Sequence, residues 1–156
     1  MEGQILTFAL GEEQYGVDIL RVKEIRGYAP VTPLPGAPAY VRGVLNLRGT
    51  IVPVLDLRAK LAMPEAEYGP LTVIIIVTAG ASVVGVIVDA VSDVFDVRPE
   101  DVQPAPEFGV AVQGRAVAGI ARVGDQLVVL LELDQMLGDT AALNLPAVAA
   151  DRQERP

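Results

Sequence analysis

This chain repeats itself, and the repeat narrows the folds open to it. Gly16-Val17 recurs as Gly85-Val86, and at the same shift of 69 residues Val22 meets Val91, Glu24 meets Asp93 and Ile25 meets Val94. Further along the shift is 76 residues. There Gly43-Val44 meets Gly119-Ile120, Leu47 meets Val123, and Ile51-Val-Pro-Val-Leu-Asp-Leu57 runs ungapped against Leu127-Val-Val-Leu-Leu-Glu-Leu133. Such self-similarity means one structural unit used twice. The second copy is longer in its middle, and the extra length falls in the Pro-rich stretch from Val97 to Phe108. Two halves, roughly residues 1–69 and 70–140, are therefore expected, with or without exchange of strands between them. A tail over residues 141–156 has little to bury and is expected to be disordered.

The repeated unit reads as β. Half of the chain, 51%, is hydrophobic, and most of that half is Val, Leu, Ile and Ala, with no Trp, three Phe and four Tyr. Val and Ile favour pleated, half-buried surfaces. Strands are expected near Gln4–Leu10, Gln14–Ile19, Thr50–Asp56, Leu71–Thr78, Val83–Val88, Val91–Val97, Val117–Val123 and Gln126–Leu133. Gly11-Glu12-Glu13 and Val123-Gly124-Asp125 read as hairpin turns. A short helix is predicted over Ala39-Tyr-Val-Arg42, started by Pro38 and stopped by Gly43, and another over Asp134–Leu137 capped by Gly138. Many short strands with Gly/Pro punctuation suggest a sandwich or small barrels, and duplication favours two barrels related by a pseudo-twofold.

One segment competes as a membrane span. No charge lies between Glu67 and Asp89, and Leu71 to Val88 is strongly apolar. Thr78-Ala-Gly-Ala-Ser82 interrupts it with turn residues, and the arms on either side are β-branched runs of strand length. No Lys or Arg anchors either end. A buried hairpin is the expected outcome.

Chemistry is scarce. The absence of Cys and His removes thiolate, disulfide and imidazole mechanisms. Ser82 and Ser92, the only serines, are not in a nucleophile-elbow pattern. A formal charge of −8 opposes nucleic acid and anionic lipid. Met-Glu-Gly-Gln at the start lacks the basic residues of a secretory signal, so a cytoplasmic location is expected. Asp89, Asp93 and Asp96 are spaced too widely for a calcium loop, and no metal or cofactor is expected. A carboxylate-only enzyme stays a distant alternative, which would need two acids across a cleft.

Asn46 and Arg48 stand beside two glycines ahead of an apolar strand. Without a Gly-Lys-Ser/Thr order they do not cradle phosphate. Arg48 is then either an idle side chain on a turn, the commoner fate, or a grip for a partner.

The string Asn46-Leu-Arg-Gly-Thr-Ile-Val-Pro-Val-Leu-Asp-Leu-Arg58 resembles the signature of the CheW family of chemotaxis adaptors. Tyr15-Gly-Val-Asp-Ile-Leu-Arg-Val-Lys-Glu-Ile-Arg-Gly27, Val84-Gly-Val-Ile-Val-Asp-Ala-Val-Ser-Asp-Val94 and the Arg98–Phe108 stretch are similar to its other motifs, so the likeness spans Ile5 to Leu137. The resemblance implies two five-stranded SH3-like barrels and a non-enzymatic adaptor. It implies as partners the regulatory domain of the histidine kinase CheA and the cytoplasmic tips of methyl-accepting chemoreceptors, with self-association in rings and recruitment to receptor arrays. Val22, Glu24, Arg48 and Val94 fall on positions the family associates with receptor and kinase coupling. Glu107 and Phe108 fall on its loop for ring or kinase contact. Gln103 departs from a basic residue that some members carry there. Within the resemblance, an adaptor for another receptor–kinase system or a detached kinase regulatory module is the alternative. From residue type alone Val22 and Val94 would be core, and Glu24 and Arg48 could simply pair.

Overall fold

The computed structural model describes residues 3–104 and 117–141. The protein is mainly β. Its strands are β1 (Gly3–Leu10), β2 (Glu13–Asp18), β3 (Val22–Gly27), β4 (Val41–Leu47), β5 (Thr50–Asp56), β6 (Val73–Ala79), β7 (Ser82–Val88), β8 (Ala90–Val97), β9 (Val102–Gln103), β10 (Val117–Val123) and β11 (Gln126–Leu131). Two short helices follow strands, α1 (Leu57–Lys60) after β5 and α2 (Leu133–Ala141) after β11. Single 3-10 turns lie at Ile19–Arg21 and Pro99–Asp101.

The strands form two sheets, ordered β3-β6-β7-β5-β4 and β8-β1-β2-β11-β10-β9. The first is a continuous piece of chain from Val22 to Val88; we call it the nested barrel. The second, the terminal barrel, joins the hairpin β1–β2 to strands from beyond Val88. The sheets are therefore cut differently from the sequence halves, and each holds strands from both.

The repeat explains this mixing. Leu130 of β11 lies in parallel register with Gly16 of β2, and Val54 of β5 in parallel register with Gly85 of β7. At the two shifts these are one pairing made twice, each time between a strand of one half and a strand of the other. Both glycines are needed for the approach. A Cβ on Gly16 would stand 3.1 Å from Ile5 and 3.3 Å from Leu130, and one on Gly85 would stand 3.0 Å from Ile74 and 3.1 Å from Val54.

Three cores follow from strand alternation. Ile74, Ile76, Val52 and Val54 fill the nested barrel, while Ile5, Val128, Leu130 and Ala121 fill the terminal one. Their strand neighbours point the other way, into a third core between the barrels. There Leu6, Phe8, Leu10 and Val17 meet Ile75, Val77, Ala79 and Val86, and Leu55 and Leu57 meet Leu131 and Leu133. Each residue in this last set has its repeat partner in the same cluster, so the pseudo-twofold passes through it. Because β6 and β7 bury both faces, they read as unbroken apolar runs and not as alternation. That is why residues 71–88 mimic a span. Among the described residues no helix is long and apolar enough to cross a membrane.

Several local expectations are corrected. Ala39-Tyr-Val-Arg42 is not a helix: the chain turns at Ala39-Tyr40 and enters β4 at Val41, which pairs with Leu55. One isolated helical turn costs more to nucleate than it returns, and the ladder with β5 wins. The helix expected at Asp134–Leu137 runs over Leu133–Ala141, and Gly138 lies inside it instead of capping it. The Pro-rich stretch after Val97 is partly ordered, since Arg98 precedes the 3-10 turn and β9 pairs with β10. Glu107, Phe108 and the tail from residue 142 lie outside the described residues.

Candidate partner-binding surface

The surface grows from the hairpin between β4 and β5. Leu47 faces Thr50 across the ladder, leaving Arg48-Gly49 as a two-residue loop. Both loop residues have positive φ, 50° at Arg48 and 88° at Gly49, the backbone pattern of the primed turns that suit twisted strands. Asn46 steadies the turn, its Oδ1 accepting from the Gly49 N–H at 2.8 Å. Glycine fits the second position; an arginine in the first carries steric strain that Gly, Asn or Asp would largely avoid.

From this tip Arg48 Nη2 donates to Glu24 Oε1 at 2.7 Å, with Arg26 3.9 Å from the same carboxylate. The Arg48 hydrogen bond holds the Glu24 carboxyl below the usual carboxylate range. Glu24 is on β3, at the opposite end of the sheet order from β4. The link therefore spans the closure of the nested barrel, as does the bridge from Thr32 to Val44. Arg48 itself stays largely in solvent, its side chain 74% exposed.

Val22 opens β3 opposite Val77 and is half-buried against the shared core. Val94 lies on β8 opposite Leu6 and is 41% exposed, so it is a surface residue and not core. The structure thus brings Glu24 and Arg48 together on the nested barrel, turns Val22 of the same strand toward the shared core, and sets Val94 apart on the terminal barrel. The repeat counterpart of Val94 is Ile25, which is 42% exposed in the middle of β3. Sequence reading passed over Ile25 as a surface apolar residue, although its match to Val94 was the available signal. The counterpart of Arg48 is Gly124, also at positive φ, so the second hairpin tip has the backbone without the side chain.

Three other acids, Asp89, Asp93 and Asp56, are held by neighbours. Asp89 pairs with Arg58 through two hydrogen bonds of 2.9 and 2.6 Å, and this holds its carboxyl low. Asp93 Oδ1 accepts from the Val94 N–H at 2.8 Å. Buried Asp56 accepts from Arg58 N at 2.9 Å and so caps α1, and it also accepts from Tyr68 Oη at 2.6 Å. Burial, and then the Asp56 carboxylate, push the Tyr68 hydroxyl up to about 12. Among the described residues no group of three or more acidic, His or Cys side chains is placed to hold a metal. What this surface offers is one charged grip beside exposed apolar side chains, the chemistry of contact between proteins.

Comparison with known proteins shows the family. The profile of the CheW-like domain matches residues 4–141. The chemotaxis protein CheW of Klebsiella aerogenes is 43% identical over 134 residues, covering 86% of this chain and 81% of that protein. Protein FrzA of Myxococcus xanthus is 31% identical over 137 residues, covering 87% of this chain and 86% of its own. The crystal structure of the scaffolding protein TtCheW from Thermoanaerobacter tengcongensis superposes with a TM-score of 0.80 at 32% identity, over 88% of this chain and 93% of that one. The chain therefore belongs to the CheW family of chemotaxis adaptor proteins.

Proposed function

We propose that this protein couples chemoreceptor cytoplasmic tips to the regulatory domain of the histidine kinase CheA, in the cytoplasm, within membrane-associated receptor arrays. It works by contact and transforms no substrate. The observation that carries this reading is Arg48, a largely exposed side chain kept on a strained hairpin tip and oriented by Glu24 of the edge strand β3. Val22 and Ile25 add apolar surface on that strand, and Val94 supplies the corresponding contact on the other barrel. An amphipathic receptor helix could lay its apolar face on such side chains. Glu107 and Phe108 serve the contact with kinase or with a further copy in rings.

The test is reconstitution. Purified protein is mixed with receptor tip fragments and the CheA regulatory domain, singly and together, and binding and kinase output are measured. Wild type should bind both and raise kinase output. Arg48→Glu should lose coupling while keeping its fold. Wild type that binds neither partner, or turns over a substrate unaided, would defeat the reading.

A further inference from the structure

The described chain passes between barrels at two places, from β2 to β3 and from β7 to β8, and both crossings carry a clamp of the same three parts. At the second crossing Asp89 accepts from the Gly11 N–H at 2.7 Å and from Arg58 Nε and Nη2 at 2.9 and 2.6 Å. Gly11 is the turn of the terminal barrel's hairpin β1–β2, and Arg58 is on α1 of the nested barrel. At the first crossing Arg21 Nη2 donates to the Thr78 carbonyl at 2.9 Å and also to Asp134 Oδ1. Asp134 in turn accepts from the Gly80 N–H at 2.7 Å. Gly80 is the turn of the nested barrel's hairpin β6–β7, and Asp134 is on α2 of the terminal barrel.

The repeat superimposes two of these parts and leaves the third, Arg21 and Asp89, one residue out of register. Gly11 falls on Gly80, and Arg58 falls on Asp134. The position that supplies the cation in one clamp supplies the carboxylate in the other, and the opposite partner comes from each crossing. In both clamps a carboxylate holds the turn glycine's N–H and an arginine at once. The clamp is present twice with its charges exchanged, so the link is common to both halves while the residue types are not.

These links do something the shared core cannot. Aliphatic packing holds the barrels together but is non-directional, so it constrains their mutual rotation weakly. Directional guanidinium hydrogen bonds do constrain it, bidentate from Arg58 to Asp89 and, from Arg21, divided between Asp134 and Thr78. From this geometry we propose that Arg58–Asp89 and Arg21–Asp134 are positioning pairs that fix the angle between the barrels, so that partners gripped by each are held in one arrangement. This rests on the adaptor reading above. The four residues touch neither partner.

The exchanged polarity supplies the experiment. Asp134 shows that a carboxylate at the position equivalent to Arg58 can take the turn glycine, so Arg58→Asp combined with Asp89→Arg should rebuild the clamp reversed. In the full-length protein, residual dipolar couplings report barrel orientation. Titrations with receptor tip fragment alone, CheA regulatory domain alone, and both together report binding. Asp89→Asn and Arg58→Asp should shift the orientation and weaken three-component assembly about tenfold, the equivalent of about 1.4 kcal/mol, with single-partner affinities changing by no more than about twofold (0.4 kcal/mol). The double exchange should restore both orientation and assembly. An unchanged orientation in Asp89→Asn would overturn the proposal, as would single-partner affinities falling in step with assembly. Should Arg58→Asp fail to fold, Asp89→Asn decides alone. If wild type binds neither partner the adaptor reading falls, while the orientation measurement still judges the clamps.

Discussion

Arg48 and Glu24 come from opposite ends of a five-strand order, and the 2.7 Å hydrogen bond between them lies where that sheet meets itself. The arginine occupies a backbone conformation that its side chain disfavours, which separates its contribution to folding from its contribution to binding.

Replacing Arg48 by Glu sets two carboxylates face to face on an exposed surface. Water and salt screen such a contact. The melting temperature should stay within about 3 °C of wild type, and receptor or kinase coupling should fail. Calorimetry with a kinase-coupling assay checks this; a large fall in melting temperature would mean that Arg48 is structural.

Arg48→Gly or Arg48→Asn should go the other way in stability. Either residue tolerates positive φ, and relief of left-handed strain should stabilise by up to about 1 kcal/mol. Coupling should still drop. Urea denaturation that shows clear destabilisation would refute the account of the turn.

Gly16→Ala and Gly85→Ala should be matched lesions. Each adds a methyl facing core atoms 3.0–3.1 Å away, and overpacking of this kind costs about 1–3 kcal/mol. Unequal costs measured by chemical denaturation would mean that the two parallel pairings are not equivalent.

Leu131→Ala should cost about 2–5 kcal/mol, because its side chain is fully buried in the core between the barrels and leaves a cavity. Its counterpart Leu55 should cost a similar amount. Since both contribute to one shared core, denaturation should remain a single transition by fluorescence and circular dichroism. Two separated transitions would show barrels that fold independently.

Tyr68 should titrate late. With its hydroxyl pushed up to about 12 in the folded protein against about 10 when unfolded, the neutral form is favoured by folding. Its contribution to stability is thus complete below about pH 10 and is lost as pH rises toward 12. Ultraviolet difference titration should show that late tyrosine, and Tyr68→Phe should abolish it.

Much of this fold was legible in the sequence wherever strands bury both faces. The runs at residues 71–88 and 50–56 are apolar enough to be found without help, and the coincident glycines reveal the duplication. Two strands that escaped notice lack a clean apolar signature in sequence. β3, Val-Lys-Glu-Ile-Arg-Gly, is an edge strand with no fully buried residue, and β4 carries Gly43, Arg42 and Asn46, which depress β propensity. α1 was missed because it is a single turn, capped by an acid that reads as the end of a strand. The candidate site divides between resemblance and long-range pairing. Arg48 of the hairpin tip and Glu24 of β3 were named through the family resemblance, whereas Ile25 needed its repeat match to Val94, and the clamp pairs Arg58–Asp89 and Arg21–Asp134 join residues across long separations that local pattern does not encode.

The interleaving of the two barrels also orders events during synthesis. Everything the nested barrel needs, Val22 to Val88, leaves the ribosome before the strands that complete the terminal barrel exist. The hairpin β1–β2 must wait, apolar and half-paired, until Val128, Val129 and Leu130 arrive to lie beside Gln14, Tyr15 and Gly16. Loop closure over so long a stretch is slow, so the first strands made are among the last to be secured, and a nascent chain stalled after Val88 exposes them to chaperones or to a neighbouring copy.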